Sequence, residues 1–385
     1  MLFRSMIDSK RTLPNSYDQE VISLILGRIG SKSREASKWD ALLATIEREG
    51  MVGICYDSLR HCKLPTPVPS DFLSYLEETY RKTQVKNVML REELRSVLKR
   101  MNTAGIPVIA LKGAALSELV YRDIGLRQMC DLDLLVRPED TERAVSILQA
   151  ANYFRISKPE LQSGFDRLFR VEVELRSPPP CMHQVEIHWR LLAPLFACRF
   201  VNHSDVWERA TPVNLVEQPA YTLGPEDWVL HQAAHAFYKH RHIGLRNLFD
   251  LDRLVRYLDQ RLNWDKLLEI GRAFHWLPAL AAVLPQCMEF FGTPIPEQVV
   301  QAALAYRLPR SEARMLAWWL HPRRLERSHI FPDWLTLPSL GDRLHVLKAY
   351  LFPGRQYLES LYPSRSTWKF PNAYLQHLWS EINSL

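Results

Sequence analysis

The stretch Val108 to Val136, reading VIALKGAALSELVYRDIGLRQMCDLDLLV, constrains this chain more than any other. It begins as a short apolar run, turns at Lys112-Gly113 into a helical pattern, and passes through an arginine-bearing loop. It then ends in a second apolar run interrupted by Asp131 and Asp133. Residues two apart on a strand share a face, so the two carboxylates point one way while Leu132, Leu134 and Val136 point into a core. Asp is depleted in strands. Carboxylates held this close repel unless a cation lies between them. A glycine turn opening a helix is a place where backbone amides approach phosphate. Together these features predict a divalent-metal site beside a phosphate site.

The segment Val185-Glu186-Ile187-His188-Trp189 alternates in the same way, with Glu186 and His188 on one face. Set beside the Asp strand, Glu186 makes a third carboxylate, and oxygen-rich clusters suit Mg²⁺ or Mn²⁺. Asp131, Asp133 and Glu186 are therefore the expected metal ligands. His188 is placed to touch a phosphate, a ligand carboxylate or an acceptor. Glu172 and Glu174, on the preceding alternating run, are expected to face solvent, and could replace Glu186 if the register differs.

This order of a Lys-Gly turn, helix, arginine, Asp-x-Asp and a later single acid resembles the nucleotidyltransferase fold of the DNA polymerase β superfamily. The wording LKGAAL, GLRQMCDLDLLV and VEIHWRL is similar to a bacterial branch called nucleotidyltransferase family proteins, most of them uncharacterised. The resemblance implies an α+β fold, with a small mixed sheet flanked by helical regions. It also implies transfer of a nucleoside monophosphate from an NTP, ATP by default, with pyrophosphate leaving. In that reading Lys112, the amides around Gly113, and Arg127 hold the phosphates. The superfamily has Gly-Gly or Gly-Ser at the turn, whereas this chain has Gly113-Ala114. Either Ser117 replaces the missing hydroxyl, or backbone donors and Lys112 suffice. Relatives suggest a tailoring step in a biosynthetic pathway, with a small molecule, sugar or peptide favoured over RNA as acceptor.

Organisation follows from periodicity. Apolar residues recur at helical spacing up to about 104, with a Pro-rich break at 64–69 and a long amphipathic helix from Ser70 to about Met101. Strands are expected at 106–111, 131–136, 169–175 and 183–190, and helices at 114–122 and 139–151, the latter opened by Pro138. From Pro225 the chain reads as helices over 225–238, 245–260, 264–274, 278–292, 297–306, 311–320 and 341–351. The expected units are an N-terminal helical region (1–104), a nucleotidyltransferase core (105–215) and a C-terminal helical domain (216–385).

His231 and His235, four apart, share one helix face, and with Arg246 and Asp250 on the next helix they could line an acceptor pocket. A metal phosphohydrolase built on His231, His235 and Asp250 is one alternative; the spacing resembles a ligand pair but lacks a following general base. A catalytically inactive nucleotide-binding scaffold is another. The basic run Arg310, Arg314, Arg323, Arg324 and Arg327 beside Trp318 and Trp319 reads more simply as a solvated face than as an RNA surface.

The net charge of +6 over 385 residues suits polyphosphate chemistry without implying nucleic acid. Six cysteines without a Cys-x-x-Cys pair argue against a zinc site or disulfide framework, and imply a reducing, cytoplasmic setting. No apolar run is long enough to span a membrane, and the N-terminus lacks the pattern of a signal peptide.

Overall fold

The computed structural model describes residues 16–27, 36–61, 68–239, 243–321 and 330–361. Among the described residues, the N-terminal part holds the helices α1 (Ser16–Ile25), α2 (Ala36–Arg48), α3 (Val52–His61) and the long α4 (Ser70–Thr103). The chain then enters strand β1 (Ile109–Ala110) and helix α5, which opens at Lys112–Ala115 and continues with wider winding over Leu116–Tyr121. Next come β2 (Asp131–Leu135), α6 (Thr141–Ala150), β3 (Phe154–Arg155) and the short α7 (Phe165–Phe169). Strands β4 (Glu172–Arg176) and β5 (Gln184–His188) follow, then α8 (His203–Glu208) and the hairpin of β6 (Thr211–Leu215) and β7 (Gln218–Thr222).

These strands make one mixed seven-stranded sheet in the order β3-β4-β5-β2-β1-β7-β6. The pairing that matters is β2 with β5, parallel, in which Asp133 lies opposite Glu186 and Leu135 opposite His188. On the far side of β5, β4 runs antiparallel with Glu174 opposite Glu186 and Glu172 opposite His188. Register partners share a face, so Asp131, Asp133, Glu186, His188, Glu172 and Glu174 all project from one side. Leu132, Leu134, Val173, Leu175, Val185 and Ile187 go to the other side, where all are buried. There α4 and α6 pack against the sheet.

From residue 225 the chain is helical. The elements are α9 (Pro225–Tyr238), α10 (Leu245–Leu258), α11 (Trp264–Ala273), α12 (Leu277–Phe291), α13 (Glu297–Ala305), α14 (Arg310–Trp319), α15 (Ile330–Thr336), α16 (Leu340–Leu351) and α17 (Arg355–Leu361). One apolar core runs from Val21 to Leu316 and joins all these regions up to α14. A smaller core clasps Leu161 and Phe165 to Leu337, Val346 and Ala349.

Two local readings of the sequence differ from the structure. The alternation from Phe169 predicts an extended run, but Phe165–Phe169 is helical and the strand begins at Glu172. Glu172 and Glu174 also face the acid cluster instead of solvent, as their register with His188 and Glu186 requires. The β6–β7 hairpin carries no clear signal in the sequence. Its two-residue turn, Val216-Glu217, has φ of 45° and 63°, a conformation normally signalled by Asn-Gly or Gly. Pro212 and Pro219 further disguise the strands.

Candidate functional site

The turn after β1 differs from a simple glycine turn. The residue with left-handed backbone is Lys112 (φ 42°). A non-glycine residue there costs roughly 1–3 kcal/mol. That cost is offset where the side chain goes, since Lys112 Nζ lies 2.5 Å from Asp133 Oδ1. Gly113 serves a different purpose. A Cβ at this position would stand 2.7 Å from Arg127 Nη1, so the missing side chain is what admits the arginine.

At the heart of the acid face, Asp133, Glu186 and His188 bring potential ligand atoms within 4.8 Å of one another. His188 Nε2 is 3.0 Å from Asp133 Oδ1 and 3.3 Å from Glu186 Oε2. Its Nδ1 lies 3.1 Å from Glu172 Oε2 but off-line for a good hydrogen bond. Burial alone would lower the His188 pKa, but the hydrogen bonds to Asp133 and Glu186 overcome it and hold the imidazole up at about 9. Burial likewise opposes ionisation of Asp133, yet Lys112 and His188 keep its carboxyl well below the usual range. Asp131, one pleat away, is not part of that close group. Burial, with the charges of Asp133 and Glu186, pushes its pKa up to about 6.

The donor set fits a divalent cation. Four carboxylates (Asp131, Asp133, Glu172 and Glu186) meet Lys112 and His188, with Lys239 3.9 Å from Glu172 at the edge of the group. Negative charge is still in excess by one, and Asp131, which has no cation of its own in contact among the described residues, registers it along with its burial. Among the described residues no other group of three or more His, Cys, Asp or Glu comes together in this way.

Beside the cluster lies a cleft of about 250 Å³ whose walls include Lys112, Gly113, Arg127, Asp131, Asp133, Glu186, His235, Lys239, Arg246 and Asp250. Arg127 is held by Asp250 through two prongs, Nε to Oδ1 at 3.0 Å and Nη2 to Oδ2 at 3.0 Å. The Tyr121 hydroxyl donates to the same Asp250 at 2.6 Å. The arginine is therefore anchored by the C-terminal helices and not by the Asp strand. Arg246, whose guanidinium packs over Gly50, makes no hydrogen bond or ion pair with another described residue.

Several expected residues lie elsewhere. The side chains of Ala114 and Ser117 are buried and do not line the cleft. His188 is buried among the carboxylates behind the cleft wall. His231 is fully buried, with Nε2 on the Leu191 carbonyl at 3.0 Å, and burial lowers its pKa to about 3. It makes a structural hydrogen bond, while His235, four residues on, lines the cleft. Arg323, Arg324 and Arg327 fall outside the described residues.

Residues the sequence did not flag position the arginine loop. Asn87 of α4, wholly buried, donates to the carbonyls of Ile124 (2.6 Å) and Arg127 (2.7 Å) and accepts from the Met129 amide (3.2 Å). The Tyr80 hydroxyl binds Asp123 at 2.8 Å, and its ring packs where a side chain on Gly125 would sit. The available signal was a polar residue at the core phase of an amphipathic helix.

The profile of a family described as uncharacterised nucleotidyltransferase matches residues 35–292, which hold every side chain of the acid cluster and cleft. The chain belongs to this family. A search of curated proteins finds no match. Among solved structures the chain is similar to an antigenic nucleotidyltransferase-like protein from Paracoccidioides brasiliensis. That likeness has a TM-score of 0.33 and 14% identity over 58% of this chain and 95% of the other, too loose to carry any detail of the site. No helix among the described residues is long and apolar enough to cross a membrane.

Proposed function

We propose that this protein is a metal-dependent nucleotidyltransferase that moves a nucleoside monophosphate from an NTP, ATP by default, to a small acceptor, releasing pyrophosphate. The observation that carries the reading is the parallel register of Asp133 and Glu186, beside a cleft whose other wall is cationic. Asp131, Asp133 and Glu186 would hold Mg²⁺ or Mn²⁺. When bound there, the ion supplies charge neutralisation of the triphosphate and a lower pKa for an attacking hydroxyl.

The chain's own residues do the positioning. Lys112 and the amides around Gly113 meet the phosphates at the opening of α5. Arg127, fixed by Asp250, keeps Nη1 against Gly113, where it meets the same oxygens. Arg246 and Lys239 add positive charge on the opposite wall. Catalysis of this kind rests on orientation and charge placement, so no covalent nucleophile is required. A role as a tailoring step in a biosynthetic pathway is part of the same proposal.

The phosphohydrolase alternative finds no support in the geometry: His231 bonds the backbone and Asp250 is occupied by Arg127 and Tyr121. The test is calorimetric titration of ATP, GTP, CTP and UTP with Mg²⁺ into the wild type and Asp131→Asn/Asp133→Asn. Metal-dependent binding that the double variant loses is expected. Binding indifferent to metal and substitution, or no binding, would overturn the proposal.

A further inference from the structure

A second, larger cavity of about 650 Å³ opens on the β4 side of the acid cluster. Glu172 and Glu174 form its inner wall, and Lys239 lines both it and the phosphate cleft. Its outer wall is aromatic, formed by Phe165, Phe169, Tyr350 and Tyr357 with Tyr238 and Trp319. The rings are set edge to face, Tyr350 lying 5.5 Å from Phe165 and 6.1 Å from Phe169. Trp319, Tyr350 and Tyr357 fall beyond the residues matched by the family profile, so this wall is supplied by the chain's C-terminal helices.

Size and placement assign the cavity. The phosphate cleft is below the roughly 300–1,000 Å³ of a whole small-molecule site, whereas the second cavity is within it. In the sheet, Lys112 follows β1, the central acids stand on β2 and β5, and Glu172 and Glu174 stand on β4. A phosphoryl centre at the acids would have its leaving group toward Lys112 and Arg127. In-line displacement brings the nucleophile from the opposite side, where this cavity opens.

We propose that the second cavity receives the acceptor, a hydroxyl-bearing small molecule whose ring-shaped apolar body lies among the aromatic side chains and whose hydroxyl is presented to Glu174. This rests on the transferase reading above. The Glu174 carboxylate has no hydrogen bond or ion pair with another described residue, and its register partner is Glu186. In the step, the acceptor oxygen bonds the α-phosphorus as the bond from that phosphorus to the bridging oxygen of pyrophosphate breaks. The hydroxyl proton passes to Glu174 and from there to water.

The test is saturation-transfer NMR on the full chain with tryptophol, tyrosol and phenyl β-glucoside, with and without Mg²⁺-ATP. At least one ring is expected to receive saturation, and to keep it with the nucleotide bound. Tyr350→Ala should cut the transfer at least five-fold and the milder Phe169→Leu about three-fold, with calorimetric Mg²⁺-ATP affinity unchanged in both. Thermal melts establish that each variant is folded, and Phe169→Leu decides the matter if Tyr350→Ala is not. Binding of Mg²⁺-ATP without saturation of any ring overturns this inference alone. So does saturation that survives both substitutions, or that Mg²⁺-ATP displaces. Ring binding without any Mg²⁺-ATP binding overturns the transferase reading and the acceptor assignment with it.

Discussion

Arg127 and Asp250 form a two-pronged ion pair, with the arginine in the loop before the Asp strand and the aspartate on α10 of the C-terminal helices. The pair is nearly dry, its side chains 12% and 5% exposed. It fixes the loop that carries Arg127 past Gly113, and so links the far helices to the phosphate cleft.

Removing one partner strands the other. Asp250→Ala leaves a buried guanidinium and the Tyr121 hydroxyl without their acceptor, a change that typically costs about 3–5 kcal/mol. Urea unfolding of Asp250→Ala should show a loss of that order, and Asp250→Asn a smaller one. A loss under about 1 kcal/mol in Asp250→Ala would mean that the pair is not buried as described.

Gly113→Ala tests the close approach directly. The new Cβ would meet Arg127 Nη1 at 2.7 Å and Met129 Cγ at 3.5 Å. The guanidinium is the end of a flexible side chain, yet Asp250 holds it. Overpacking of this kind costs about 1–3 kcal/mol. Stability should fall by that amount and Mg²⁺-ATP affinity should drop at least ten-fold. Wild-type affinity in a destabilised Gly113→Ala would remove Arg127 from the phosphate site.

Much of this arrangement was legible in the sequence because it is local. The alternation around Asp131–Asp133 and Glu186–His188 fixed which side chains share a face, and helical periodicity gave the helices from Pro225 to Leu351 closely apart from α15 (Ile330–Thr336), which it missed. What depended on long-range pairing was hidden. No local pattern says that Arg127 reaches Asp250, or that Glu172 lies opposite His188. Lys112 takes the left-handed backbone beside a glycine, where the glycine was the natural candidate. The β6–β7 hairpin turns on Val216-Glu217, residues that carry no turn signal.

Two histidines, His231 fully buried and His203 half-buried, set an acid limit on stability. Burial pushes His231 down to about 3 and His203 down to about 4, against about 6.5 in an unfolded chain. The folded state thus binds fewer protons than the unfolded state below pH 6.5. Their contribution is complete above that pH and is lost as pH falls toward the folded values. His188, raised to about 9, acts in the opposite sense, but its window lies between 6.5 and 9. Asp131, raised to about 6, opposes the trend over part of the range, so the informative quantity is a difference. His203→Gln should look less damaging at pH 5 than at pH 7.5 by about 2 kcal/mol in urea unfolding. The same difference at both pH values would mean that His203 titrates normally in the folded protein.

Asn87 gives the sharpest test of how the N-terminal helices serve the site. Its amide makes both of its donor contacts and its acceptor contact to the 124–129 backbone, deep under α4. Asn87→Ala leaves the Ile124 and Arg127 carbonyls and the Met129 amide without these bonds. Each buried polar group left unsatisfied costs about 1–3 kcal/mol, although a water entering the space offsets part of it. A loss of about 2–4 kcal/mol is therefore expected, with faster hydrogen exchange in the 122–130 backbone than in α4 itself. Mg²⁺-ATP affinity should fall with it, because Arg127 leaves its position as the loop loosens. Asn87→Asp separates these effects: it keeps the acceptor for Met129 but repels both carbonyls, so it should match or exceed the alanine variant. If Asn87→Ala loses stability while exchange in 122–130 and nucleotide affinity stay unchanged, the asparagine supports α4 packing and does not build the site.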